Sequence, residues 1–154
     1  MEKTDPRNSS GGSVPFRKIL IGLDLSEQTD VIIEKSAKLA GTSKASVEIV
    51  TVVNVPTNSA GNELDGSPAN DEEIRLRDYL ISRLHRYFGD EVKNLEVKVL
   101  HGDPAERLSE YAEYSNCDLI VVGSRSRGAL RKAILGSVSG SVAAKSKTSV
   151  VIVK

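Results

Sequence analysis

Five short runs of mostly apolar, largely β-branched residues recur along the chain, and longer stretches with helical spacing separate them. The runs are Lys18–Asp24, Val47–Val55, Leu95–Leu100, Asp118–Gly123 and Ser149–Val153. A strand that is apolar on both faces must be covered on both faces, which is the condition of a parallel sheet packed between helices. Between the runs, Val31, Ile32, Ala37, Leu39 and Ala40 form one helical stripe, and Ile74, Tyr79, Leu80, Ile81, Leu84 and Phe88 form another. Leu108, Tyr111, Ala112 and Tyr114 form a third, and Ser137–Ser146 reads as a fourth helix. Strand and helix therefore alternate from end to end. Right-handed crossovers restrict that order to a doubly wound α/β sheet with helices on both faces. Such sheets take ligands outside the carboxyl ends of their strands, where the strand order reverses. The loops after Leu23 and after Val122 are the candidates.

Local signals place the helix ends. Ser26 is the expected N-cap of the first helix and Gly41 its stop. Asp103-Pro104 supplies an N-cap and a first helical residue. Asp71, Glu72 and Glu73 suit a helix N-terminus electrostatically. Residues 1–15 carry little to bury and are expected to be a disordered tail, leaving 16–154 as one domain. Pro56–Pro68 reads as a linker.

Composition excludes several classes. Acidic and basic residues balance at 21 each, which gives no general attraction to nucleic acid or membrane surfaces. No apolar stretch is long enough to span a bilayer, and Met1–Pro15 lacks the core of a secretory signal. A single cysteine, Cys117, rules out an intrachain disulfide and is expected to be packed. A cytoplasmic protein is expected. His85 and His101 show no metal-ligand spacing, and no nucleophile elbow or catalytic triad stands out, so no catalytic or metal residue is assigned.

Chemistry concentrates in one segment. A strand ends at Gly123, followed by Ser124-Arg125-Ser126-Arg127-Gly128, and then Gly136-Ser137-Val138-Ser139 opens a helix. Small residues let backbone N–H groups approach a ligand, and a helix N-terminus offers free N–H groups with partial positive charge. Ser137 and Ser139 add hydroxyls, and Arg125, Arg127, Arg131 and Lys132 add cations. Together they predict an anion site, of the kind that holds nucleotide phosphates. Turn chemistry alone would also account for the Gly and Ser content.

Asp118–Gly128 with Leu135–Ser139, Gly102-Asp103-Pro104-Ala105-Glu106 and the opening Lys18–Ser26 together resemble the universal stress protein family, over roughly residues 16–154. The resemblance implies a five-stranded parallel sheet in the order 3-2-1-4-5 and a homodimer through Val150–Val153. It also implies ATP as cofactor, with any Mg²⁺ held mainly by the phosphates. Gly22, Leu23 and Asp24 would lie against the nucleoside, Val52 would line the adenine pocket, and Gly123, Ser124, Arg125, Ser126, Gly136, Ser137, Val138 and Ser139 would hold ribose and phosphates. ATP-binding members carry Gly at the position of Ser126, so this chain departs from the pattern there.

Two functions follow from the resemblance: a homodimeric stress-response protein that binds ATP with at most slow hydrolysis, or a dimeric protein-interaction module of the same fold that binds no nucleotide. For Asp24 the alternative role is shaping the approach to the first helix beside Ser26, and for Val52 it is core packing. Nucleic-acid binding through the Arg cluster is not expected, because aromatic residues for stacking make up only 4% of the chain.

Overall fold

The structure is a computed structural model that describes residues 16–53, 71–124 and 136–154. Its elements run β1 (Lys18–Leu23), α1 (Thr29–Ser43), β2 (Ser46–Val53), α2 (Asp71–Phe88), β3 (Val97–His101), α3 (Pro104–Tyr114), β4 (Leu119–Gly123), α4 (Ser137–Lys145) and β5 (Ser149–Val153). A 3-10 turn, Gly89–Asn94, joins α2 to β3, a segment whose sequence carries no periodic signal.

The five strands form one sheet in the order β3-β2-β1-β4-β5 with every pairing parallel. The expected α/β architecture and strand order are therefore present. The period-two alternation of the strands sorts the core into two layers. Ile19, Ile21, Ile49, Leu119 and Val121 face α1 and α2, where Ile32, Ile33, Leu80 and Leu84 meet them. Leu20, Val50, Ile120 and Val122 face α3 and α4, against Ala105, Leu108, Ala112 and Val142. The central strands β1 and β4 are thus buried on both faces, whereas the edge strand β5 keeps Val151 partly exposed.

Two helix ends differ from the sequence reading. α1 starts at Thr29, not beside Ser26, and its N-cap Gln28 makes no side-chain cap bond. Ser26 belongs to a turn before the helix, where its N–H donates to Asp24 Oδ1 at 3.1 Å and its carbonyl accepts from Thr29 N at 3.2 Å. The helix passes Gly41 and ends at Ser43, with Lys44 as the C-cap in the left-handed conformation at φ 51°. In contrast, α3 is built as expected, with Pro104 in its first turn and the Asp103 side chain accepting from Glu106 N at 2.9 Å.

The amino end of the sheet carries its own polar network. Asp118 accepts from the N–H groups of Arg17 and Lys18 at 2.8 and 3.0 Å, tying β4 to the start of β1. The Lys18 ammonium donates to Ser115 O at 2.9 Å and pairs with Glu48.

Candidate functional site

The switch point falls between β1 and β4, which run side by side with Ile21 opposite Val121. Their onward connections leave in opposite directions, so the carboxyl ends of β1 and β4 meet at the edge where sheets of this kind form a crevice.

On the β1 side, only Asp24 of the three expected residues presents a side chain outward. Gly22 is buried, and a Cβ there would stand 3.1 Å from both methyls of Leu108 and from Val122, so the missing side chain lets α3 pack closely on the sheet. Leu23 lies in the core facing α1 and α2. Asp24 is exposed, with one carboxylate oxygen accepting from Ser26 N. Its carbonyl accepts from the Thr29 hydroxyl, which also donates to Ser26 O at 2.9 Å. Thr29 is buried and locks this loop to the first turn of α1. Asp24 therefore does organise the approach to α1. Val52, near the end of β2 opposite Leu100, is half-buried and packs on the α3 side of the core.

On the β4 side, the backbone is pinned at both ends of the connection to α4. Ser124 N donates to Val153 O at 2.8 Å, extending the β4–β5 ladder, and Ser124 O accepts from Gly136 N at 2.8 Å. A Cβ on Gly136 would come within 2.7 Å of Ser124 O, closer than such contacts allow. Gly136 adopts φ −55° and ψ 156°, open to any residue, so proximity and not backbone strain demands glycine there.

Gly136 is the N-cap of α4, and having no side chain it supplies no cap bond. The first turn of α4 contains no acidic residue. Its leading N–H groups have no acceptor within the helix, so they are presented to whatever lies beyond the carboxyl edge. Ser137 is exposed at this end, while Val138 packs on the α3–α4 core. Ser139 is buried, and its hydroxyl donates to Gly136 O at 3.2 Å. Arg125 and Ser126, with Arg127, Arg131 and Lys132, lie outside the described residues.

The tertiary structure adds a residue that sequence reasoning did not single out. A Cβ on Gly123 would sit 2.7 Å from Ile32 Cδ1 and 3.0 Å from Gln28 Oε1. The start of α1 therefore rests on Gly123, and the Gln28 carboxamide lies in the crevice between the two loops. Gln28 belongs to no sequence motif, so only the packing of α1 against β4 reveals it.

Among the described residues, no three His, Cys, Asp or Glu side chains come together as metal ligands. No helix among them is long and apolar enough to cross a membrane. His101 at the end of β3 meets Glu73 of α2 at 2.9 Å, a cross-element ion pair whenever the imidazole is protonated. Cys117 is buried, and burial pushes its thiol up to about 11.

Residues 15–154 match the sequence profile of the universal stress protein family. The chain belongs to that family. One curated member-like relative, the stress response protein NhaX of Bacillus subtilis, is 48% identical over 59 residues, 38% of this chain and 36% of that protein. Among solved structures, a universal stress protein in complex with cAMP superposes with a TM-score of 0.63 at 24% identity, covering 90% of this chain and 96% of the other. The universal stress protein of Archaeoglobus fulgidus in complex with dAMP gives a TM-score of 0.61 at 19% identity, covering 90% and 98%. These structural likenesses establish the universal stress protein fold. In this member of the family the crevice is assembled from Asp24, Gln28, Gly123, Ser124 and the opening of α4.

Proposed function

We propose that the chain binds an adenine nucleotide, with ATP the expected ligand, across the carboxyl ends of β1 and β4, and that it does so as a homodimer acting in stress response. The observation that carries this reading is the uncapped start of α4, held at the crevice by Gly136 and free of acidic residues in its first turn. A phosphate placed there would accept from the N–H groups of Ser137, Val138 and Ser139 and from the exposed Ser137 hydroxyl. Asp24 would accept from a ribose hydroxyl or the adenine amine, and Gly22, Leu23 and Val52 would form the floor on the nucleoside side. Gly123, Ser124, Arg125 and Ser126 would flank the ribose and phosphates. Any Mg²⁺ would be held mainly by the phosphates. The cAMP and dAMP complexes of the structural relatives support an adenine nucleotide as the ligand class. Asp24, the carboxylate nearest the end of β1, is engaged by Ser26 N, so binding with at most slow hydrolysis is expected. Dimerisation is supported by β5, which among the described residues pairs with β4 on one side only and leaves Val151 37% exposed.

Calorimetric titration of nucleotide-free protein with Mg-ATP, AMP and cAMP tests the reading. Saturable heat with mutual competition is expected, and no heat at millimolar ligand removes it. A second reading rests on Ser126, where ATP-binding members of the family carry Gly. It takes the chain as a dimeric interaction module without nucleotide. A Ser126→Gly variant that gains ATP affinity absent from the wild type would select it.

A further inference from the structure

Two helix starts flank the carboxyl ends of β1 and β4, one on each face of the sheet. α1 leaves β1 on one face, and α4 leaves β4 on the other. Neither is capped by its N-cap side chain: Gly136 has none, and Gln28 of α1 makes no side-chain cap bond. Asn, Asp, Ser and Thr are the usual caps, because their short side chains turn back onto the first turn. The Gln28 side chain, longer than Asn by a methylene, reaches across to β4 instead. Its Oε1 lies 3.0 Å from where a Cβ on Gly123 would stand, so the carboxamide rests on the backbone that glycine leaves bare. Ile32, whose N–H donates to Gln28 O at 2.9 Å, covers the rest of Gly123 and fixes how α1 crosses β4.

The place of the carboxamide along the sheet decides what it can reach. The strands run β2-β1-β4 through this region. In the nucleotide reading, on which this inference rests, Val52 of β2 and Asp24 after β1 hold the nucleoside, and the start of α4 holds phosphate. Gln28 stands over β4, on the phosphate side. Gly123 beneath it is followed by Ser124, whose carbonyl accepts from Gly136 N at 2.8 Å where α4 opens. The carboxamide and the start of α4 therefore flank the same short stretch of β4 from opposite faces.

The chemistry of the carboxamide suits that place. Gln28 is half-buried, so its hydrogen bonds are only partly screened by water. A carboxamide has an acceptor oxygen and two donor hydrogens, so it can keep a protein partner and still donate to a phosphate oxygen. Of the nearby carboxylates, Asp24 accepts from Ser26 N at 3.1 Å, Asp30 accepts from Arg83 at 2.8 Å, and Glu27 is exposed to water.

We propose that Gln28 is a specificity residue of the crevice: its carboxamide donates to the phosphate chain of the bound nucleotide and so favours a nucleotide over its nucleoside. The test is calorimetric titration of the full chain with Mg-ATP and, separately, with adenosine, for the wild type, Gln28→Leu and Gln28→Glu. Leucine keeps the packing over Gly123 without a donor, and glutamate has the same shape but sets a negative charge toward the phosphates. Neither change removes a cap bond, so both variants are expected to fold. The ratio of ATP to adenosine affinity should fall about tenfold in Gln28→Leu and further in Gln28→Glu. A wild type that binds ATP, with the ratio unchanged in both variants, overturns the proposal. It is equally overturned if ATP and adenosine weaken together, since Gln28 then serves packing or the nucleoside. A wild type that binds no ATP removes the nucleotide reading itself and this proposal with it, so the two failures are told apart by the wild type alone.

Discussion

Gly136 shows how one missing side chain positions a helix. A methyl group there would meet the carbonyl of Ser124 at 2.7 Å, and that carbonyl is fixed because it accepts from Gly136 N. Neither partner can move without opening the base of the loop. Gly136→Ala is therefore expected to destabilise the fold by about 1–3 kcal/mol, as overpacking does, and to shift the start of α4. Denaturant unfolding reads the first effect, and nucleotide titration should read a loss of at least about tenfold if the helix start is the phosphate site. Gly22→Ala meets only the side-chain atoms of Leu108 and Val122, at 3.1 Å, and should cost less because those groups can yield. Cys117 gives a further test at this scale. With its thiol pushed up to about 11 by burial, little thiolate exists near neutral pH, so alkylation in the native state should run far slower than in denaturant. Native-state labelling as fast as that of the unfolded chain would contradict the buried placement. Much at this scale was readable beforehand. Gly123 and Gly136 are legible by type and position as points of close approach, whereas Gln28 is not, because its place depends on α1 crossing over Gly123.

At the scale of elements, caps and ion pairs decide where helices begin and how the sheet edge is tied. The Asp103 side chain is the N-cap of α3 and Pro104 follows it, a signal local enough to read directly from sequence. Asp103→Ala should cost about 1 kcal/mol in thermal or chemical unfolding. The start of α1 lies beyond Ser26, because the Asp24 carboxylate takes the Ser26 N–H while the Thr29 hydroxyl and N–H donate to the Ser26 carbonyl, and together they draw Ser26 into a preceding turn. At the amino end of the sheet, Lys18 and Glu48 bridge β1 and β2. Burial pushes the Glu48 carboxyl up, but hydrogen bonds from Lys18 and Tyr111 outweigh it and hold the group below the usual carboxylate range. The hydrogen bond to Glu48 raises the Lys18 ammonium above its usual value. A lowered carboxyl contributes stability that is present above its unfolded value and lost as pH falls through the folded one. A raised ammonium contributes stability that is present below its unfolded value and lost as pH rises through the folded one. The pair should therefore stabilise between the ordinary values of 4.5 and 10.5 and fade beyond either end. Unfolding free energy measured against pH should lose this acid and alkaline dependence in Glu48→Gln, and an unchanged profile would show the pair to be inert.

For the whole molecule, β5 forms one exposed edge of the sheet. The strand is short and apolar, and among the described residues it is bonded only to β4; such an edge invites a second chain. Val151, 37% exposed, lies at its centre. Val151→Lys places a charge on that edge, and light scattering after size-exclusion chromatography should report a dimer for the wild type and a monomer for the variant. A wild-type monomer at all concentrations would remove the homodimer.

The alternation of apolar runs with helical stripes by itself determined the α/β class, the parallel strands and the carboxyl-edge location of the crevice. Periodicity and crossover handedness are properties of the chain, and they leave few arrangements open. The motif resemblance added the strand order. Tertiary structure alone decided that Gly22 serves α3 packing, that Ser139 turns inward, and that Gln28 rests over Gly123. Each of these depends on atoms distant in sequence meeting within a few ångströms, and no local pattern of residue types records how closely two elements will pack.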